Sequence, residues 1–169
     1  MRRRLATVLC LLVPLFCTAC QKPKPADPLT TDFVCEFRAQ YNNMTAAGTL
    51  TRRTADTLQL DFSEPQTLSG LSAEWNGDAV TLQYLGLSYT VDSAKLPEQA
   101  LGEQLLQAFN AALHGEGERT EKDGQITVTG LAGDLPYTYV YDSQSGAPLS
   151  LTVPALPLSV TFSNVKTSP

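Results

Sequence analysis

The sequence predicts a mainly β domain of the α+β class: one curved antiparallel sheet of about ten strands, with a single helix packed on its concave apolar face. Three observations predict it. Apolar and polar residues alternate with period two over most of residues 32–165, and the period changes to that of a helix once, over about 97–114. Turn dipeptides separate the alternating runs at strand-length spacing.

Ahead of the domain, Arg2-Arg3-Arg4, the apolar run Leu5–Phe16 and the small residues Cys17-Thr18-Ala19 have the order of a secretory signal. The run is short for a membrane span, which needs ~20 apolar residues. Thr18-Ala19-Cys20 resembles a bacterial lipobox, with Cys17 where that motif usually carries Leu. The resemblance implies that residues 1–19 are a leader and that the Cys20 thiol is lipidated. A plain secreted protein and an uncleaved anchor are the alternatives. On the lipoprotein reading, residues 20–31 are a Pro-rich tether and 32–169 the folded domain. Loss of the three arginines takes the net charge from −5 to about −8, so no basic patch assists anchoring to anionic lipid. The acyl chains hold the protein alone, each buried CH₂ contributing ~0.8 kcal/mol.

Phe33, Cys35, Phe37, Ala39 and Tyr41 share the inward face of the first strand. Asn42-Asn43 turns the chain into a second strand over Thr45–Arg53. Leu58, Leu60 and Phe62 mark a third, ended by Glu64-Pro65, and a fourth is expected over about Leu68–Trp75. Asn76-Gly77-Asp78 is a hairpin signal; Val80, Leu82 and Tyr84 return from it, and Leu87, Tyr89 and Val91 resume after Gly86.

Pro97 at the first helical position and Glu98 and Glu103 near the positive end read as helix-start signals. Leu101, Leu105, Ala108, Phe109 and Ala112 then recur on one stripe, and Gly115 stops the helix. The polar stretch after it, with Glu116, Glu118, Glu121 and Asp123, reads as a solvated loop. Four further strands follow, marked by Ile126 and Val128, by Tyr137, Tyr139 and Tyr141, by Leu149, Leu151 and Val153, and by Leu158, Val160 and Phe162.

Several functions are excluded by composition. The chain is acidic and has no Lys/Arg run beyond its first four residues, so it lacks the footprint of a nucleic-acid binder. With Cys10 and Cys17 in the leader and Cys20 lipidated, Cys35 and His114 remain, too few for a zinc site. No metal or other cofactor is expected. There is no Gly-x-Ser-x-Gly elbow, and the carboxylate pairs lie in the polar loop, so no catalytic residue is assigned and no enzyme expected. Cys35 reads as a buried small apolar residue, and His114 as a favourable charge at a helix C-terminus.

One helix ~10–12 Å wide cannot cover a flat ten-strand sheet ~45 Å across. Either the sheet closes around the helix with a filled core, or part of its apolar face stays open as a cleft. Gly48-Thr49-Leu50, Leu58-x-Leu60-x-Phe62, Glu64-Pro65 and Trp75-Asn76-Gly77 occur in an order that resembles the LolA/LolB superfamily of bacterial lipoprotein carriers, particularly its membrane-anchored LolA-like lipoproteins. Tyr141-Asp142, Gly146-Ala147-Pro148-Leu149 and Leu158–Phe162 resemble the C-terminal hairpin of that group. The resemblance implies an open half-barrel whose cavity takes acyl chains. Carriers of this group hold their helical lid with a basic residue after the Gly-x-Leu strand start, the region of Arg52 and Arg53. A helix that carriers place before the first strand has no counterpart ahead of Phe33, which sets this chain apart from a soluble shuttle.

The expected function is that of a lipoprotein on the extracytoplasmic face of a bacterial membrane, binding an acyl chain, lipid or other apolar ligand. Its candidate walls are Leu60, Phe62, Leu82, Tyr84 and Tyr89 from the first strand block. Phe109 of the helix and Tyr137, Tyr139 and Tyr141 of the second block complete them. The alternative is a non-catalytic interaction module with a filled core, recruiting an envelope protein through its surface.

Overall fold

The computed structural model describes residues 32–167 except Glu98 and Glu116. The leader, Cys20 and the whole tether therefore lie outside the described residues. Eleven strands form one sheet. The first block is β1 (Phe33–Tyr41), β2 (Met44–Thr54), β3 (Thr57–Glu64), β4 (Ser72–Asn76), β5 (Ala79–Tyr84) and β6 (Leu87–Asp92). A 3₁₀ turn at Ser93–Lys95 and helix α1 (Leu101–Leu113) lead to β7 (Glu118–Lys122), β8 (Gln125–Ala132), β9 (Leu135–Asp142), β10 (Pro148–Val153) and β11 (Leu158–Thr167).

Each block is an up-and-down meander. The two join where β1 pairs antiparallel with β11, giving the order β6-β5-β4-β3-β2-β1-β11-β10-β9-β8-β7. β6 and β7 are the free edges, so the sheet curves without closing, and α1 lies against its inner face. The predicted fold class holds.

Three boundaries differ from expectation, each for a physical reason. The polar stretch after α1 is a strand, β7, exposed at every position. Its Glu-Arg-Thr-Glu-Lys sequence buries no face and so shows no alternation. The Arg119 guanidinium donates to the Ala112 carbonyl at 2.9 Å, tying β7 to the end of α1. The helix begins at Leu101, not near Pro97: Ala100 is extended (φ −58°, ψ 132°), and its N–H closes a turn on the Pro97 carbonyl. The fourth strand begins at Ser72, because the segment from Pro65 to Leu71 folds on itself through Leu68 and Ser69 N–H bonds to the Pro65 carbonyl.

The core runs from Phe33 to Phe162 and draws on both blocks and α1, so the described residues bury a self-contained interior. Phe109 of α1 sits at its centre, edge-on to Phe33 and Tyr139 (ring centroids 6.0 and 5.5 Å) and tilted against Phe162 at 5.7 Å. Cys35 is buried as expected, and His114 is the exposed C-cap residue of α1. No helix among the described residues is long and apolar enough to cross a membrane.

Candidate functional site

Alternation sends one face of each inner strand toward α1, and what α1 leaves uncovered decides what the concave face can hold. Leu60, Phe109, Tyr137, Tyr139 and Tyr141 are fully buried. Tyr139 and Tyr141 stack at 5.6 Å, and burial raises the Tyr139 phenol above its ordinary range. These side chains fill the space beneath the helix. Leu82 is half-buried, while Tyr84 and Tyr89 lie beyond the reach of α1 and face solvent.

An apolar pocket of about 240 Å³ remains at one rim, lined by Ala39 and Tyr41 of β1, Met44 and Ala46 of β2, Phe62 of β3, Leu68, and Gln99, Ala100 and Leu101 at the start of α1. Of the candidate walls named from sequence, Phe62 alone lines it. Its other walls escaped sequence reading because a void forms where inward side chains are small. Ala39 and Ala46 are directly opposed across β1 and β2, and that pairing of two alanines in phase with large residues was the available signal. At ~300–1,000 Å³ for typical ligand sites, the pocket is slightly below the usual range. Three other hollows are more polar: one of about 370 Å³ on the sheet near Glu36, Arg38 and Glu64, one of about 290 Å³ near Gln104, Gln107 and Asp134, and one of about 250 Å³ at the β5–β6 turn, which the candidate wall residue Tyr84 lines with Gly70 and Leu87.

Beneath the helix lies a charge. Arg52 is completely buried; its Nη2 donates to Asn110 Oδ1 at 2.7 Å and its Nε to the Thr54 carbonyl at 3.3 Å. Its guanidinium carbon stands 5.1 Å from the centroid of Phe109, a cation–π distance. Nη1 has no hydrogen-bond partner among the described residues. Burial lowers the Arg52 pKa to about 10, against the favourable fields of Tyr139 and Asp56. Of the two adjacent arginines, Arg52 is the one turned toward α1, and Arg53 is exposed.

An unclosed antiparallel sheet with a helix pinned over its inner face and an apolar pocket at one rim defines a half-barrel with an internal apolar site. No family model and no curated protein matches the sequence. Among solved structures, an uncharacterized conserved protein from Thermus thermophilus is similar at a TM-score of 0.54 and 9% identity, over 83% of this chain and 80% of that one. A LolA superfamily protein from Nitrosomonas europaea has a TM-score of 0.41 at 9% identity, covering 83% and 88% of the two chains. A structure of the CwlD amidase from Clostridioides difficile in complex with the GerS lipoprotein has a TM-score of 0.48 at 16% identity, covering 82% and 88%. What is shared with the Thermus protein is the fold alone.

Proposed function

We propose that this chain is a lipid-anchored lipoprotein of the bacterial cell envelope, held on the extracytoplasmic face by acyl chains on Cys20, that takes an acyl chain or similar apolar group into the rim pocket. Residues 1–19 are its leader, 20–31 its tether and 32–169 its binding domain. The observation that carries the reading is the pocket itself, walled by Ala39, Tyr41, Met44, Ala46, Phe62, Leu68 and Leu101. Binding draws on apolar burial, at ~25 cal/mol per Å². Its modest volume makes α1 the movable wall, with the Arg52–Asn110 bond as the latch that keeps it down.

The inner face beneath α1 is filled by Phe109 and the tyrosines, which favours a second reading, a non-catalytic module that meets an envelope partner through its surface. Residues 21–169, which contain every strand and the whole core of the described residues, separate the two. Native mass spectrometry of this chain is expected to show co-purified fatty acid or phospholipid, displaced by a fluorescent acyl probe. Ala46→Phe, which fills the pocket from within, is expected to abolish probe uptake while the chain stays folded. A clean apo mass with no probe uptake would remove the acyl-binding reading in favour of the interaction module.

A further inference from the structure

The strands of the half-barrel end on two rims that differ in their turns. The chain enters at the start of β1, and the turns on that rim are β2–β3, β4–β5, β7–β8 and β9–β10. Each carries an aspartate: Asp56, Asp78, Asp123 and Asp142. The opposite rim holds the β1–β2, β3–β4, β5–β6, β8–β9 and β10–β11 connections, of which the β8–β9 turn carries Asp134, and Met44 and Leu131 are exposed beside two of them. The apolar pocket opens on this second rim, where Tyr41 ends β1 and Met44 begins β2.

The β5–β6 hairpin is the most apolar part of that rim. Leu85 is 83% exposed, Leu87 76% and Tyr89 67%, with Tyr84 also exposed. No charged residue occurs between Asp78 and Asp92. The turn itself breaks a rule that the chain follows elsewhere. Both central residues have positive φ, 51° at Leu85 and 82° at Gly86. The β7–β8 hairpin has the same geometry, 52° and 76°, and fills it with Asp123-Gly124, the usual chemistry for this turn. A leucine in the left-handed region is strained where Asn or Asp is not. An apolar side chain therefore stands at a strained, solvent-facing position whose turn geometry favours a polar one.

We propose that the Tyr84–Tyr89 hairpin is a membrane-contacting tip. It seats in the interfacial layer of a phospholipid bilayer, with Leu85 and Leu87 among the acyl chains and Tyr84 and Tyr89 at headgroup level, where tyrosine is favoured. The inference rests on the lipid-anchored reading above. Two arguments select a bilayer. The turns of the first rim carry four aspartates that anionic lipid repels, whereas the β5–β6 hairpin carries no charge and meets no such repulsion. The stretch from Cys20 to Asp32 spans about 12 residues, reaching ~40 Å when extended. That exceeds the ~30 Å length of a nine-residue strand such as β1. Acyl chains on Cys20 and the hairpin tip on the far rim therefore reach the same membrane, and the pocket mouth faces lipid directly.

The test attaches residues 21–169 through an N-terminal hexahistidine tag to phosphatidylcholine vesicles containing a nickel-chelating lipid, so that it stands whether or not Cys20 is acylated. A nitrobenzoxadiazole fluorophore is placed through Leu85→Cys or, on the first rim, through Asp123→Cys. Buried Cys35 does not compete for the label. At position 85 the emission is expected to shift to the blue and to be quenched severalfold more by doxyl-labelled lipid than at position 123. Equal quenching at the two positions overturns the proposal. So does a blue shift at 85 without lipid quenching, which assigns the tip to a protein contact or a second copy. Leu85→Asn supplies a control that cannot be mistaken for misfolding: the turn gains its preferred residue, so thermal stability is expected to rise while binding of the untagged chain to vesicles falls severalfold. Unchanged vesicle binding in this variant overturns the proposal as well. Acyl-probe uptake without vesicles reports on the pocket separately, so failure of either reading is told from failure of the other.

Discussion

Arg52 of β2 donates to Asn110 of α1 at 2.7 Å while its guanidinium faces Phe109, so a single buried cation joins the first strand block to the helix. The two ends of that bond are not equivalent. Asn110→Ala strips the buried charge of its side-chain acceptor and is expected to cost about 1.5–3 kcal/mol. Arg52→Met removes the charge and keeps apolar bulk, a change that is often near neutral for buried ions and is expected to cost less than Asn110→Ala. Urea denaturation checks the order. Both variants release the latch, so each is expected to take up the acyl probe faster than the parent chain, and unchanged uptake in both would remove the latch role.

Phe109 is the keystone of the interior, touching Phe33, Tyr139 and Phe162 from three directions with Arg52 over its face. Phe109→Ala leaves a void among rigid rings and is expected to cost about 3–5 kcal/mol. Phe109→Leu keeps more of the volume and is expected to cost less. Thermal unfolding of the two variants measures the difference. A loss below ~1 kcal/mol for the alanine variant, the value of an average mutation, would mean that the helix repacks freely.

Gly102 lies directly on the indole of Trp75, and a Cβ added there would stand 2.2–2.5 Å from carbons of its six-membered ring. Alanine improves the helix by ~1 kcal/mol on intrinsic propensity. Overpacking against a buried ring costs ~1–3 kcal/mol, so steric crowding wins and Gly102→Ala is expected to be destabilising. Trp75 is the chain's sole tryptophan, buried with its Nε1–H unpartnered among the described residues. Its fluorescence therefore reports the same event, and a red shift on substitution is expected as α1 lifts. An unshifted spectrum with unchanged stability would show that the ring swings aside.

The fold was legible wherever one face of a strand is buried. Phe33-x-Cys35-x-Phe37, Leu58-x-Leu60 and Tyr137-x-Tyr139-x-Tyr141 alternate because the sheet buries their faces, and all these residues lie in the core. β7 was illegible for the converse reason: it is exposed along its whole length and held by backbone pairing with β8 and by Arg119, neither of which leaves a hydrophobic period. The helix start was misplaced because Pro97 is as compatible with the preceding turn as with a first helical turn. The candidate site was harder still. Large side chains announce burial, while the pocket is defined by missing volume at Ala39 and Ala46, which becomes visible only when neighbouring strands are set side by side. Arg52 shows the same limit: which of two adjacent arginines points inward depends on the strand register, and in β2 the Arg52–Leu58 pairing fixes it.

The Cys35 thiol links the core to pH. Burial, and then the negative charge of Glu36, push it up to about 12 from an ordinary 9.0. Below pH 9 the folded and unfolded chains both hold the proton, and the thiol's contribution to stability is complete. Between 9 and 12 the unfolded chain releases it and the folded chain does not, so stability falls as pH rises, by at most ~1.4 kcal/mol per unit for one proton. Buried Tyr139 adds a slope of the same sign above its ordinary 10.0. Cys35→Ala isolates the thiol: its denaturation midpoint is expected to be flatter than the parent's between about pH 9 and 10, with the two converging in slope below that range. The same burial keeps the sulfur from reagents, so at about pH 8 Ellman's reagent is expected to react with Cys35 of residues 21–169 no faster than the domain opens. A thiol that reacts at the rate of a free cysteine, or a parent and variant with the same alkaline slope, would place Cys35 in contact with water and contradict its position in β1.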